Sequence, residues 1–188
     1  MVLQSAKEEY AVVLDFLPNG HIFDTRPAHL KSAIAQAIGK THFILLELIP
    51  KKGCFLQPMQ EVYIGEGKRE EIHHIFGKIE YNKLTQTAQA ELEFVIAEMV
   101  KKNESRFIEF FNKSGPISMR MHSLELLPGI GKKHMWELLE VRKEGGDFKG
   151  FEDIRARVKL MPDPEKMIVK RIIEELKGMD KYKLFVGS

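Results

Sequence analysis

The chain has 188 residues, 44% hydrophobic and 30% charged, with a net charge of +2; this excludes a disordered chain and leaves room for one large core or two small ones. The single cysteine, Cys54, excludes an internal disulfide framework and a cysteine-rich zinc site, and its Gly-Cys-Phe setting reads as a small residue opening a strand. No apolar run approaches the roughly 20 residues that cross a bilayer and no basic-then-apolar leader is visible, so a cytoplasmic protein without membrane contact is expected.

Residues 10–17 form an apolar, β-branched run closed by Pro18-Asn19-Gly20, a strand followed by a turn. Residues 28–38 place Leu30, Ile34, Ala37 and Ile38 on one helical face ended by Gly39, which predicts a helix. Strands are predicted over residues 41–49, stopped by Pro50 and the Lys51-Lys52-Gly53 turn, over 60–64, and over 73–79. Short strands at this spacing with glycine-bearing turns predict a small barrel rather than a parallel sheet. The period then changes. Residues 85–101 carry Ala88, Leu92, Val95, Ile96 and Met99 at helical spacing, and residues 104–112 add a short aromatic helix with Phe107, Phe110 and Phe111. Lys113-Ser-Gly-Pro116 pairs a glycine stop with a proline start and reads as a domain boundary.

Beyond it the signals are helical. Residues 118–127 read as a helix, Pro128-Gly129-Ile130-Gly131 as a turn, and residues 132–143 as a second helix. Glycines on either side of one apolar residue permit backbone conformations that a side chain opposes, and Ile130 is placed to pin the helix crossing. The amides of Gly129, Gly131 and Lys132 would then sit at a helix N-terminus, where unpaired N–H groups and partial positive charge favour an anion. Lys132 and Lys133 add formal charge beside them. Trp136 reads as core between helices, with a stacking platform as its alternative. A degenerate second copy follows: a short helix over 151–158, a turn over 159–164 and a long helix over 165–177. It lacks the paired glycines, so it reads as a packing partner, with Arg155, Arg157 and Lys159 either reaching phosphate or forming a solvated basic face. Residues 1–114 carry 14 Lys and Arg against 15 Asp and Glu, while residues 115–188 carry 15 against 12, so the slight basic excess is C-terminal.

Leu127-Pro-Gly-Ile-Gly-Lys132 between two amphipathic helices resembles the helix–hairpin–helix motif of DNA-repair and RNA-processing proteins. Over nearly its whole length, through the 10–17 strand, Val62-Tyr-Ile-Gly-Glu-Gly67, Tyr81-Asn-Lys-Leu84 and Leu126-Leu-Pro-Gly-Ile-Gly-Lys132, the chain resembles an archaeal family of uncharacterised proteins. That family pairs an OB-like barrel with a helix–hairpin–helix region and is described as predicted RNA-binding. The resemblance implies an α+β protein in which an N-terminal OB-like small β-barrel (residues 1–84) leads through connecting helices (85–115) to an all-α tandem helix–hairpin–helix domain (116–180) and a tail (181–188). A barrel of that kind binds oligonucleotides with aromatic and basic residues on one face; the candidates are Lys68 and Arg69, with Tyr63, Phe55 and Tyr10. Phe55 and Tyr63 also read as core, and residues 65–69 as a flexible basic loop.

Catalytic patterns are absent from the sequence: it has no His-Glu-x-x-His, no Gly-Lys-Ser/Thr phosphate loop and no nucleophile elbow. His73 and His74 are adjacent on a strand and so should face opposite ways. No cofactor or metal is implied. The expectation is a non-catalytic, largely sequence-independent nucleic-acid binder, with RNA preferred over DNA because of the resemblance alone. It would act through Gly129, Ile130, Gly131, Lys132 and Lys133. The alternatives are an interaction adaptor in a ribonucleoprotein or DNA-repair assembly, and a metal-dependent nuclease using Asp15 and Asp24.

Overall fold

A computed structural model of the chain describes residues 7–187. Residues 1–6 and Ser188, on which the expected lack of a leader and the outer limits of the barrel and tail fall, lie outside the described residues. The protein is mixed α+β, a curled five-stranded antiparallel sheet plus five α-helices among the described residues. Its contacts divide it into two units, Met1–Val95 with Glu175–Ser188, and Ile96–Glu174. That division falls inside a helix, whereas the glycine and proline at residues 115–116 mark only a local break in the chain.

In the first unit, β1 (Tyr10–Leu17), β2 (Ile34–Gly39), β3 (Leu45–Pro50), β4 (Glu61–Tyr63) and β5 (Ile72–Lys78) take the order β4-β1-β2-β3-β5. Register shifts at residues 13–15 of β1 and at 47–50 of β3 let the strands bend and the sheet curl into a half-barrel. Its inner face buries Ala11, Val13, Ala35, Ala37, Leu46, Leu48 and Val62. On the other face, the Gln36 amide donates to Glu47 Oε1 at 3.3 Å and to the Lys83 carbonyl at 3.2 Å, and its Oε1 accepts from Thr85 N at 2.8 Å. The Thr85 hydroxyl donates to Asp15 Oδ2 at 2.6 Å and accepts from Ala88 N at 3.0 Å. These bonds cap the start of α1 (Gln86–Lys102) and fix it to the sheet.

Three expectations are corrected in this unit. The helix over 28–38 is instead a 3-10 turn at Ala28–Leu30 followed by β2. As a central strand buried on both sides, β2 shows no alternation, so its apolar residues fall by chance at helical spacing and tertiary pairing decides. The strand expected from residue 41 starts at Leu45, because residues 41–44 form a turn in which Phe43 has φ +54°. The buried Glu8 carboxylate organises that turn, accepting from Thr41 N at 2.8 Å and His42 N at 2.7 Å. The C-terminal residues, expected as a tail, are pinned: Glu175 accepts from the amides of Leu184, Phe185 and Val186, and Gly187 N donates to the His42 carbonyl at 2.8 Å.

The second unit contains α2 (Glu104–Lys113), a hairpin of β6 (Pro116–Ser118) and β7 (Met121–His122), α3 (Lys132–Gly145), α4 (Phe151–Arg157) and most of α5 (Pro164–Leu176). Phe107, Phe111, Leu124, Leu127, Leu138, Ile154 and Ile172 are among its fully buried residues. The helix expected over 118–127 is not formed; its place is taken by the hairpin and a 3-10 turn, Ser123–Leu126. Leu124 and Leu127 do face the core three residues apart, which is what the helical spacing detected. His122 caps that turn: its Nδ1 accepts from Leu124 N at 3.1 Å, and Glu125 accepts from His122 N at 2.9 Å.

Candidate nucleic-acid interface

The turn over residues 128–131 is built by one obligatory glycine and one optional one. Gly129 has φ +87°, and a Cβ there would lie 3.0 Å from Pro162 Cγ, so a side chain is opposed by both conformation and packing. The Pro162 contact also lays the turn over 159–163 against this one. Ile130 is 6% exposed, and its amide donates to the Leu127 carbonyl at 3.0 Å. Gly131 differs: it sits at φ −94°, ψ 179°, as the N-cap of α3, and a Cβ there would meet nothing within 4 Å. No side chain caps α3 and no acidic residue occupies its first turn. The unpaired N–H groups that every helix start leaves therefore remain open beside Gly131. Lys132 and Lys133 are exposed there, with no carboxylate partner among the described residues.

The structure gives the two arginines of the second copy other partners. Arg155 pairs with Glu152, with Asp163 (Nε to Oδ2, 2.7 Å) and with Glu165 (3.3 Å); the hydrogen bond to Asp163 raises its pKa above the ordinary arginine value. Arg157 donates to the carbonyls of Val141 at 2.9 Å and Gly146 at 2.8 Å, bonds Asp153, and lies 4.7 Å from the Phe148 ring centroid. It thereby closes the end of α3. Lys159 is exposed. Trp136, expected in the core, is 64% exposed, because Met135 and Leu138 already supply the buried face of α3.

In the first unit Lys68 is exposed, and Arg69 Nε donates to the Gly65 carbonyl at 2.8 Å. The 65–69 loop, expected as flexible, is folded onto Tyr63, whose hydroxyl accepts from Gly67 N at 3.0 Å; a Cβ on Gly65 would lie 2.4 Å from that hydroxyl. Tyr10 and Tyr63 pack edge to face at 5.2 Å. Phe55 is 78% exposed rather than core, its ring 6.1 Å from that of Phe16. Sequence reasoning missed a cavity of about 480 Å³ lined by His21, Phe23, Arg26, Ile34, His74 and Phe76 among others. His21 and Phe23 stack at 6.0 Å with an interplanar angle of 19°, and His21 Nε2 lies 2.8 Å from Glu47 Oε1. Finding this cavity from sequence required reading 34–39 as a strand and knowing the β3–β5 pairing.

The carboxylates considered for metal are each held elsewhere. Asp15 accepts from Thr85, and Asp24 chelates the Arg26 guanidinium, whose hydrogen bonds hold its carboxyl down to about 2. His73 and His74 do not diverge as expected: β5 skips His73 in pairing with β3, and the two Nδ1 atoms come within 2.7 Å. Among the described residues no group of three His, Cys, Asp or Glu side chains could hold a metal, and no helix is long and apolar enough to cross a membrane.

Residues 7–187 match the model of DUF655, described as a protein family of unknown function. An uncharacterized protein of Methanocaldococcus jannaschii is 44% identical over 181 residues, covering 95% of this chain and 80% of the relative. A crystal structure of an Archaeoglobus fulgidus protein, titled as a DUF655 member, superposes with a TM-score of 0.87 at 47% identity, covering 95% of this chain and 99% of that one. The chain belongs to the DUF655 family, which has archaeal members.

Proposed function

We propose that the protein binds nucleic acid, RNA in preference to DNA, without catalysis and largely without reading sequence. In this reading the 3-10 turn at residues 123–126, the turn over 128–131 and α3 together act like a helix–hairpin–helix grip on backbone phosphate, the short turn standing in for the first helix, and the curled sheet acts as an OB-like barrel that adds contacts to the strand. One observation carries it: the start of α3 has no capping side chain and no acidic neighbour, yet carries two unpaired lysines. Backbone N–H groups and ammoniums in that arrangement favour phosphate. The strand order β4-β1-β2-β3-β5 and the aromatic cavity on the sheet support the barrel's part in the reading.

The test is a Gly131→Glu, Lys132→Glu, Lys133→Glu variant, checked for folding by circular dichroism and for binding by anisotropy with labelled RNA and DNA oligonucleotides. The variant should fold and lose most affinity, and the wild-type affinity should fall steeply with salt. Unchanged affinity in the folded variant refutes the grip. A second reading, an interaction adaptor, is favoured by the exposure of Ile22, Phe23, Phe55 and Phe76. Absence of binding to any nucleic acid, together with co-purification of a defined protein, would decide for it.

A further inference from the structure

The exposed stripe of α3 runs Lys132, Lys133, Trp136, Glu140 and Lys143. A tryptophan 64% exposed on a helix whose opposite face already buries Met135 and Leu138 contributes little to the core. No described residue stacks on its ring or accepts from its indole N–H. Helical geometry puts Lys132 four and Lys133 three positions before it, about 5–6 Å away between Cβ atoms, so two ammoniums and one open aromatic face share a single patch. The charge nearest the indole is asymmetric: two lysines lie within one turn before it, whereas Glu140 follows one turn on and Lys143 only two turns on. An anionic strand is therefore drawn to the N-terminal side, with its flat groups over the ring.

We infer that Trp136 is a stacking platform for an unpaired base, so that the preferred target of this face is a single-stranded or looped segment rather than a continuous duplex. The inference rests on the phosphate-binding reading above and adds the target class to it. A duplex offers phosphate to Lys132 and Lys133 but keeps its base faces stacked internally; an unpaired segment offers both.

Trp136 is the chain's single tryptophan, so its emission reports on this face alone. The full chain is titrated at low salt with a 12-nucleotide oligouridylate and, separately, a 12-base-pair RNA duplex, following both emission and anisotropy. The single strand should quench Trp136 and the duplex should leave it unchanged. Trp136→Ala should weaken single-strand binding by roughly 5- to 150-fold, the range for one base–aromatic stack, with duplex affinity unaltered and Trp136→Phe retaining most of the binding. Lys132→Glu with Lys133→Glu should weaken both ligands. Full single-strand affinity in Trp136→Ala, or binding without quenching, overturns the stacking inference even where the lysine variant confirms the phosphate grip. Undiminished binding by the lysine variant overturns both. Should Trp136→Ala fail to fold, the wild-type quenching decides.

Discussion

If the start of α3 holds phosphate as proposed, Gly131 stands where a better helix cap would cost binding. Its backbone, φ −94° and ψ 179°, already has the extended conformation of an N-cap, and a Cβ would meet nothing within 4 Å. Gly131→Asp therefore builds without strain. Relative to glycine, the aspartate adds a few tenths of a kcal/mol as a cap and about 0.3–1 kcal/mol through the helix dipole. The expected gain is about 0.5–1.5 kcal/mol, or roughly 2–12 °C in Tm for a unit of this size. The same carboxylate takes the N–H groups offered to phosphate and repels the phosphate itself. Losing even one charge-assisted hydrogen bond weakens binding by about tenfold or more. Thermal unfolding by circular dichroism and oligonucleotide anisotropy on the same preparation measure the two effects. A variant that is stabilised yet binds as tightly as wild type refutes the claim that these amides hold phosphate. A variant that is destabilised refutes the capping geometry.

Gly129→Ala should lose about 1–2 kcal/mol in denaturant titration, because φ +87° is costly for any residue with a Cβ and Pro162 Cγ stands 3.0 Å away. Arg157→Lys should cost about 2 kcal/mol, since one ammonium that took over the two Nη2 bonds to the carbonyls of Val141 and Gly146 could not also keep the Nη1 bond to Asp153 and the planar group over the Phe148 ring, and should leave the salt slope of oligonucleotide affinity unchanged. Burial, with Arg142 beside it, pushes the His122 imidazole below its ordinary 6.5, so the folded state binds its proton less readily than the unfolded chain. The stability it contributes is complete above pH 6.5 and is lost as pH falls towards the depressed value; Tm should fall from pH 7 to pH 5, and less so in His122→Asn, which keeps a capping acceptor.

The elements with a local cause were legible in the sequence. α1, α3, α4 and α5 carry apolar residues at helical spacing, and β1 ends at Pro18-Asn19-Gly20, within a residue or two of expectation. β2 was not legible, because its identity depends on pairing with β1 and β3 on both sides and not on its own alternation. The 3-10 turn before residue 128 was misread because Leu124 and Leu127 satisfy one helical turn without continuing it. At the candidate site, the order of residues 129–133 announced the turn, and the structure separates what the order could not: Gly129 is required by the fold and Gly131 is not. Trp136 is exposed because Met135 and Leu138 already supply the buried face of α3, and Phe55 because it lies in the loop between β3 and β4, where the adjacent Leu56 is the buried residue.

The basic excess of residues 115–188 is divided by side-chain chemistry. Arg142 donates to the carbonyls of Phe111 and Asn112, Arg157 to those of Val141 and Gly146, and Arg171 to that of Leu126, while Arg155 binds three carboxylates. Guanidinium groups are used where chain segments must be tied together. Lys132, Lys133, Lys143, Lys149, Lys159, Lys166 and Lys170 are all exposed. Counting charge in the sequence therefore overstates the surface available to an anion, which is mainly a lysine surface, with Arg120 exposed in the turn between β6 and β7. Lysine attracts phosphate as a mobile point charge, whereas discrimination among base edges relies on the two-pronged geometry of arginine, and no arginine stands in the turn over residues 128–131 or in the first two turns of α3. On the proposed reading, a grip made this way would hold backbone wherever it met it. On the same reading, selectivity would come from whether bases are unpaired and reachable by Trp136 rather than from their identity.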